Sequence, residues 1–237
     1  MIRKTLFFCL TFLLSFSGMA QSADSSLYLQ VDLANRWIFR GMSYTESPVI
    51  QPSFGYDNGR WNFMVWGSYP MEHHGYVEID FTAEYRIGEF MTIGITDYFG
   101  INDSLGARHS FFDFRRETTM HMFDVYTILE PFRKVPLSLL CSFWAWGCDR
   151  EEETLKQNFS TYFELSYEKE IGSFTADFFA GGTTGKGFYA ERPALVNVGL
   201  GLTKEFVIGN LNLPLKTEFI FNPDAQNVYL NVILTLK

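Results

Sequence analysis

Cysteine is scarce in this chain, 3 in 237 residues. Cys9 falls in the opening apolar segment, which leaves Cys141 and Cys148. On one extended strand those two would stand roughly 23 Å apart at the rise of a β-strand. A disulfide spans at most about 7 Å between Cα atoms. A disulfide scaffold is therefore excluded, and both thiols are expected to be free. Histidine is almost as rare, 4 residues in all. His73 and His74 are adjacent, so on a strand they point apart and make a poor metal site. The chain also lacks a glycine-rich phosphate loop, a Cys pair and a nucleophile elbow. Basic charge is in deficit, 19 Lys and Arg against 27 Asp and Glu, which argues against nucleic acid as a partner.

Long apolar runs are missing as well. Past residue 20 no stretch of 18 or more apolar residues occurs, mean hydropathy is -0.02, and 19% of residues are charged. Helical membrane spans are excluded, so any embedding must be by strands. The first twenty residues have the make-up of a signal peptide: Arg3 and Lys4, an apolar core from Thr5 to Ser17, then Gly18-Met19-Ala20. Cleavage after Ala20 leaves 17 basic and 27 acidic residues, a net charge of -10.

What the chain has in abundance is aromatic residues in alternating patterns, with 25 Phe, 12 Tyr and 5 Trp. Between Tyr76 and Arg86, Val77, Ile79, Phe81, Ala83 and Tyr85 share one face of an extended strand. Tyr76, Glu78, Asp80, Thr82, Glu84 and Arg86 share the other. This period of two recurs over twelve predicted strands: Leu27 to Gly41, Val49 to Asp57, Trp61 to Tyr69, Tyr76 to Arg86, Met91 to Phe99, Thr119 to Leu129, Leu137 to Gly147, Phe159 to Lys169, Phe174 to Gly182, Leu195 to Glu205, Leu211 to Phe221 and Val228 to Leu236. In the first, Trp37 and Phe39 fall on the apolar face with Leu27 to Leu33, and Arg36 and Arg40 on the polar face. In the sixth, Asp124 is placed inside because a lipid-facing carboxylate is costly. Asn58-Gly59 marks a tight hairpin whose central residues both accept positive φ.

Connections after even-numbered strands are short, and those after odd-numbered strands are longer and more polar. Short turns on one side, long loops on the other and an even strand count describe an all-β, antiparallel up-and-down transmembrane barrel at residues 21–237, in the outer membrane of a Gram-negative bacterium. Outer-membrane lipid and lipopolysaccharide would surround it, and periplasmic chaperones and the barrel assembly machinery would handle it.

A resemblance points the same way. Asn35-Arg36-Trp37-Ile38-Phe39-Arg40-Gly41-Met42-Ser43, then Gln51-Pro52-Ser53-Phe54-Gly55-Tyr56 and Val65-Trp66-Gly67-Ser68, resemble the TorF-type porin family of bacterial outer-membrane proteins. The resemblance covers roughly the first hundred residues. It implies an exported barrel with a pore role and carries over no catalytic residue.

Function would then lie in the lumen. The inward faces carry Asp32, Glu78, Asp80, Glu84, Asp124, Glu164, Glu168, Asp177 and Glu218 against Arg36, Arg40, Arg86 and Lys216, an excess of five acids. A porin or narrow channel for ions and small polar solutes, with a bias toward cations, is expected. Arg40 and Gly41 are expected near the outer mouth. Arg108, His109, Arg115 and Arg116, in a loop with Phe111, Phe112 and Phe114, form a candidate constriction. No catalytic, metal or cofactor site is expected. Two alternatives stay open: a non-conducting structural or adhesive barrel that displays its loops, and a membrane-embedded acyl hydrolase built on His121, beside which the sequence places no serine.

Overall fold

Strands form where the alternation is cleanest, because each has two chemically different sides to satisfy. The computed structural model describes residues 26–72, 74–102, 110–132, 134–151, 153–209 and 211–237; the expected signal peptide lies outside them. The elements are β1 (Ser26–Ala34), β2 (Trp37–Phe39), β3 (Met42–Thr45), β4 (Val49–Asp57), β5 (Trp61–Pro70), β6 (Tyr76–Ile87), β7 (Met91–Asn102), β8 (His121–Leu129), β9 (Leu137–Gly147), β10 (Thr161–Ile171), β11 (Phe174–Thr183), β12 (Ala194–Ile208), β13 (Leu211–Asn222) and β14 (Asn227–Leu236). Twelve of them, β1 and β4 to β14, close into an antiparallel barrel in sequence order, with β14 returning to β1. Closure leaves no strand edge without a partner along the circuit.

Outward side chains are apolar and exposed, for example Phe54, Phe63, Phe81, Ile95, Leu165, Phe178, Leu202, Phe219 and Leu230. Inward ones are largely polar or aromatic, Tyr98, Trp66, Trp144 and Phe179 among the rings. Several inward rings lie flat on glycines of the next strand: Tyr28 is registered against Gly55, and Tyr126 against Gly94. A Cβ at either glycine would meet the ring, so glycine is what lets these tyrosines fold against the wall.

Four features depart from the expectations. The Asn-Gly hairpin forms, but only Gly59 has positive φ (81°). Asn58 Oδ1 instead accepts hydrogen bonds from the backbone N–H groups of Arg60 (3.1 Å) and Trp61 (2.7 Å). Two β-bulges interrupt the register of the barrel, at Ala145 in β9 (Phe123 pairs Trp146, Asp124 pairs Trp144) and at Val196 in β12 (Gly181 pairs Asn197, Gly182 pairs Leu195). The closing seam is short, four residue pairs from Val31/Leu236 to Ala34/Ile233. Beyond it Asn35 imitates a strand partner, donating Nδ2 to the Leu230 carbonyl (3.2 Å) and accepting from the Val232 N–H (2.7 Å).

The fourth departure matters most. The first strand does not run to Gly41; it ends at Ala34, and β2 and β3 form a separate two-stranded hairpin. Alternation alone could not reveal the break, since a hairpin is built from strands too. Trp37 and Phe39, expected to face outward, pack inside the barrel.

Candidate functional site

The hairpin crosses the lumen. Trp37 donates its indole N–H to Glu78 (3.1 Å) and packs on Trp66 of β5, ring centroids 4.8 Å apart. Phe39 meets Tyr98 (5.5 Å) and the fully buried Trp144 (6.4 Å), and Tyr44 meets Tyr76 (4.6 Å). These contacts reach inward faces of β5, β6, β7 and β9, so the hairpin spans the interior instead of lining one wall.

Its tip is Arg40-Gly41, both with positive φ (48° and 79°). The sequence places this pair at the outer mouth; the structure places it inside, under a ring of aromatic side chains. Arg40 forms an ion pair with Asp124 (2.7 Å), with side chains 10% and 0% exposed, and also donates to the Tyr189 hydroxyl. The guanidinium lies 4.5 Å from the ring centroid of Tyr162, 4.8 Å from Phe39, 5.6 Å from Trp144 and 5.8 Å from Tyr189. A cation held by one carboxylate and several π faces is stabilised where water is scarce. Asp124 Oδ1 has no hydrogen-bond partner, so Arg40 is the partner that compensates this buried carboxylate. Gly41 sits against the bulge in β12. A Cβ there would fall on the Val196 carbonyl oxygen, and the Gly41 carbonyl accepts from Asn222 Nδ2 (3.1 Å).

Apart from Arg36, the other predicted lumen residues lie on the polar faces of the wall strands. Asp32 accepts from Thr235 (2.6 Å) and Gln30; Glu84 accepts from Asn62 (2.9 Å) and Tyr126 (2.8 Å). Arg86 forms a two-bond pair with Asp57 at the turn end. Arg36 pairs with Glu46 (3.0 Å) at the hairpin root, so it belongs to the inserted segment and not to the wall. Glu78 and Asp80 are buried, and Glu78 accepts from the Trp37 indole. Glu164, Glu168, Asp177, Lys216 and Glu218 surround a cavity of about 430 Å³ on the β9 to β13 side, roofed by Ile38, Arg40 and Gly41 and reaching down to Glu130 and Pro136 at the turn end.

The expected constriction loop lies elsewhere. Phe111 packs on Phe81, Phe99 and His121, all on the outer face of the wall, and Phe114 stacks on His121 at 4.2 Å. Arg115 binds Asp113 (2.7 Å), and Arg116 donates to the Leu155 carbonyl (2.7 Å), stapling this loop to its neighbour. The segment is bound outside the barrel, so Arg115 and Arg116 do not narrow the lumen; Arg108 and His109 lie outside the described residues. The ring nitrogens of His121 meet Asp97 Oδ1 (2.9 Å) and the Phe111 carbonyl (2.6 Å), where a hydrolase would need a hydroxyl. Cys148 Sγ lies 3.9 Å from Met122 Sδ, and Cys141 and Cys148 are both free thiols.

Tyr189, Trp144 and Asn197 are lumen residues that sequence reasoning missed. A usable signal was the aromatic density of residues 37–44 between two polar breaks, Asn35 and Glu46-Ser47-Pro48.

No family model and no curated protein matches the chain. One solved structure, from work on the mechanism behind in-meso crystallization of membrane proteins, overlays on 90% of this chain and 82% of that chain, with a TM-score of 0.48 and 8% identity.

Proposed function

We propose that this protein is a bacterial outer-membrane barrel that works as a narrow, gated channel for ions and small polar solutes, with the β2/β3 hairpin as its gate. The turn end faces the periplasm and the long loops face outward. Support for the membrane comes from the circuit of exposed Phe, Leu, Ile and Val on the outer face beside a polar interior, the reverse of a soluble barrel. Support for the gate comes from one observation: Arg40 at the hairpin tip is clamped to Asp124 inside the lumen, while an acid-lined cavity opens below it. Fixed negative charge along that path favours cations. Of the three stretches that resemble TorF-type porins, Asn35 to Ser43 forms most of this hairpin, and membership of that family is part of the proposal.

The test is planar-bilayer conductance of refolded protein, using only samples whose gel mobility shifts on boiling. The wild type should open rarely. Deleting residues 36–45 should give steady steps with a cation-favouring reversal potential. A folded, inserted deletion variant that never conducts would overturn the channel reading and leave a barrel that only displays its loops.

A further inference from the structure

We propose that residues 110–119 form a pH-sensitive strap, fastened to the outer face of the barrel by a proton held between Asp97 and His121. The proposal does not rest on the channel reading, since the strap lies outside the lumen.

His121 is fully buried, and both of its ring nitrogens face oxygen atoms. Nδ1 lies 2.9 and 3.0 Å from the two Asp97 carboxyl oxygens, and Nε2 lies 2.6 Å from the Phe111 carbonyl. A carbonyl oxygen can only accept, so Nε2 carries a hydrogen. A neutral imidazole then has none left for Nδ1, which would meet an ionised carboxylate lone pair to lone pair. The contact needs one more proton, on Nδ1 or on Asp97. Either way the docked pair holds two protons, whereas a neutral histidine beside an ionised aspartate holds one. At 2.9 Å no water fits between the two groups. The strap itself closes the site: Phe111 supplies the carbonyl, and Phe114 stacks over the imidazole at 4.2 Å with the two planes 17° apart.

The charged groups nearby are engaged elsewhere. On the strap, Asp113 accepts from Arg115 and Thr118, Arg116 donates to the Leu155 carbonyl, and Glu117 is exposed. On the adjoining loop, Arg150 donates to the carbonyls of Glu117, Thr119 and Gly147, Asp149 accepts from Ser160 and Asn158, and the Cys148 thiol faces the Met120 carbonyl. Through the wall, Asp80 is buried on the inner face of β6 and Asp124 is paired with Arg40. The proton between Asp97 and His121 is therefore the one that docking takes up. An ordinary imidazole gives up its second proton near pH 6.5. Below that the free pair already carries the proton; above it docking must draw the proton from solvent, so docking weakens by a factor of about ten for each unit of rising pH.

The test follows hydrogen exchange of the refolded full chain in detergent, read by mass spectrometry on peptides covering residues 110–119 and corrected for the intrinsic rate at each pH. We expect protection of the strap to fall about tenfold per unit from about pH 7 upward, while the ladder amides of β10 to β13 keep theirs. Asp97→Asn reverses the expectation, because its side-chain N–H can donate to Nδ1 while Nε2–H still serves Phe111, so a neutral imidazole satisfies both contacts. Protection in that variant should stay high and flat over the same range. Asp113→Asn, which leaves the pair intact, should keep the wild-type slope. The wild-type profile decides the matter even where a variant fails to refold: flat protection, or loss of strap and barrel protection together, would overturn the proposal. So would a wild-type slope or an unprotected strap in folded Asp97→Asn.

Discussion

Asp124→Asn is the sharpest test of the gate. The substitution keeps the shape of the side chain and removes the charge that faces Arg40 at 2.7 Å. In the docked hairpin Arg40 is 10% exposed and Asp124 fully buried, so the guanidinium would be left without a compensating charge. Removing one partner of a buried ion pair costs about 3–5 kcal/mol. That cost falls on the docked state alone, because an undocked Arg40 returns to water. At about 1.4 kcal/mol per factor of ten, the open state should gain roughly two to three and a half decades. A hairpin gate whose open state is about 0.1–10% populated would then be open from about a tenth of the time to nearly always.

The barrel itself should survive, because Asp124 stays in the β8 ladder with its pairing to Thr96 and Trp144 unchanged. Single-channel recording of heat-modifiable samples gives the readout, open probability. A second variant guards the interpretation. Arg40→Met together with Asp124→Leu removes both charges and leaves apolar side chains among Phe39, Tyr162 and Trp144. Replacing a buried pair by apolar groups is close to neutral, so leakage should fall at least about tenfold below that of Asp124→Asn. Unchanged open probability in Asp124→Asn, with the barrel inserted, would refute the argument that this ion pair holds the gate.

Gly41→Ala should release the hairpin by a separate route: φ is 79° and the new Cβ falls on the Val196 carbonyl oxygen, so trypsin should cut after Arg36 and Arg40 in the variant and spare the folded wild type. Leu165→Arg, at an outward position 48% exposed on β10, should cost about 2–4 kcal/mol in a bilayer and little in a soluble barrel; urea titration of vesicle-inserted protein measures it, and an unchanged midpoint would count against the membrane. In the external loop, hydrogen bonds from Arg115 and Thr118 hold the Asp113 carboxyl well below the usual carboxylate range. A lowered folded value means its contribution is complete above about pH 4 and is lost only as pH falls through that lower value, so hydrogen exchange at the Thr118 and Thr119 amides should stay slow at pH 4 and quicken in stronger acid.

The barrel was legible because its two faces, apolar outside and largely polar inside, impose opposite demands on alternate residues. Tyr76 to Arg86 obeys that rule without exception, and β6 forms over Tyr76–Ile87. Asp124 was enough to orient β8, where methionines and aromatics compete, and the Arg40 contact shows it inside. The bulges were not legible. Ala145 and Val196 differ from their neighbours in no property that marks an extra residue, and only the Val196 bulge lies against the hairpin tip, at Gly41. The hairpin was hidden for a different reason. Arg36 and Arg40 keep the polar parity of β1 across the bend at Asn35, so a continuous strand and a strand that turns inward read alike.

That hidden break is also what makes a gate physically feasible. β2 and β3 bond to each other as a separate sheet, and the barrel circuit passes from β1 directly to β4 through nine residue pairs from Ser26/Asp57 to Ala34/Val49. The hairpin is fastened to the wall by side chains: Trp37 to Glu78, Arg40 to Asp124 and Tyr189, and Asn222 to the Gly41 carbonyl. Displacing it breaks none of the barrel's ladder bonds, so the closed circuit that a bilayer demands is kept in both states. Had the first strand run on to Gly41 as part of the wall, opening the lumen would have meant opening the sheet in hydrocarbon, at several kcal/mol for each unpaired backbone group. A side-chain latch on an independent hairpin would avoid that cost, and on the proposed reading it would confine the free energy of gating to a few contacts around Arg40.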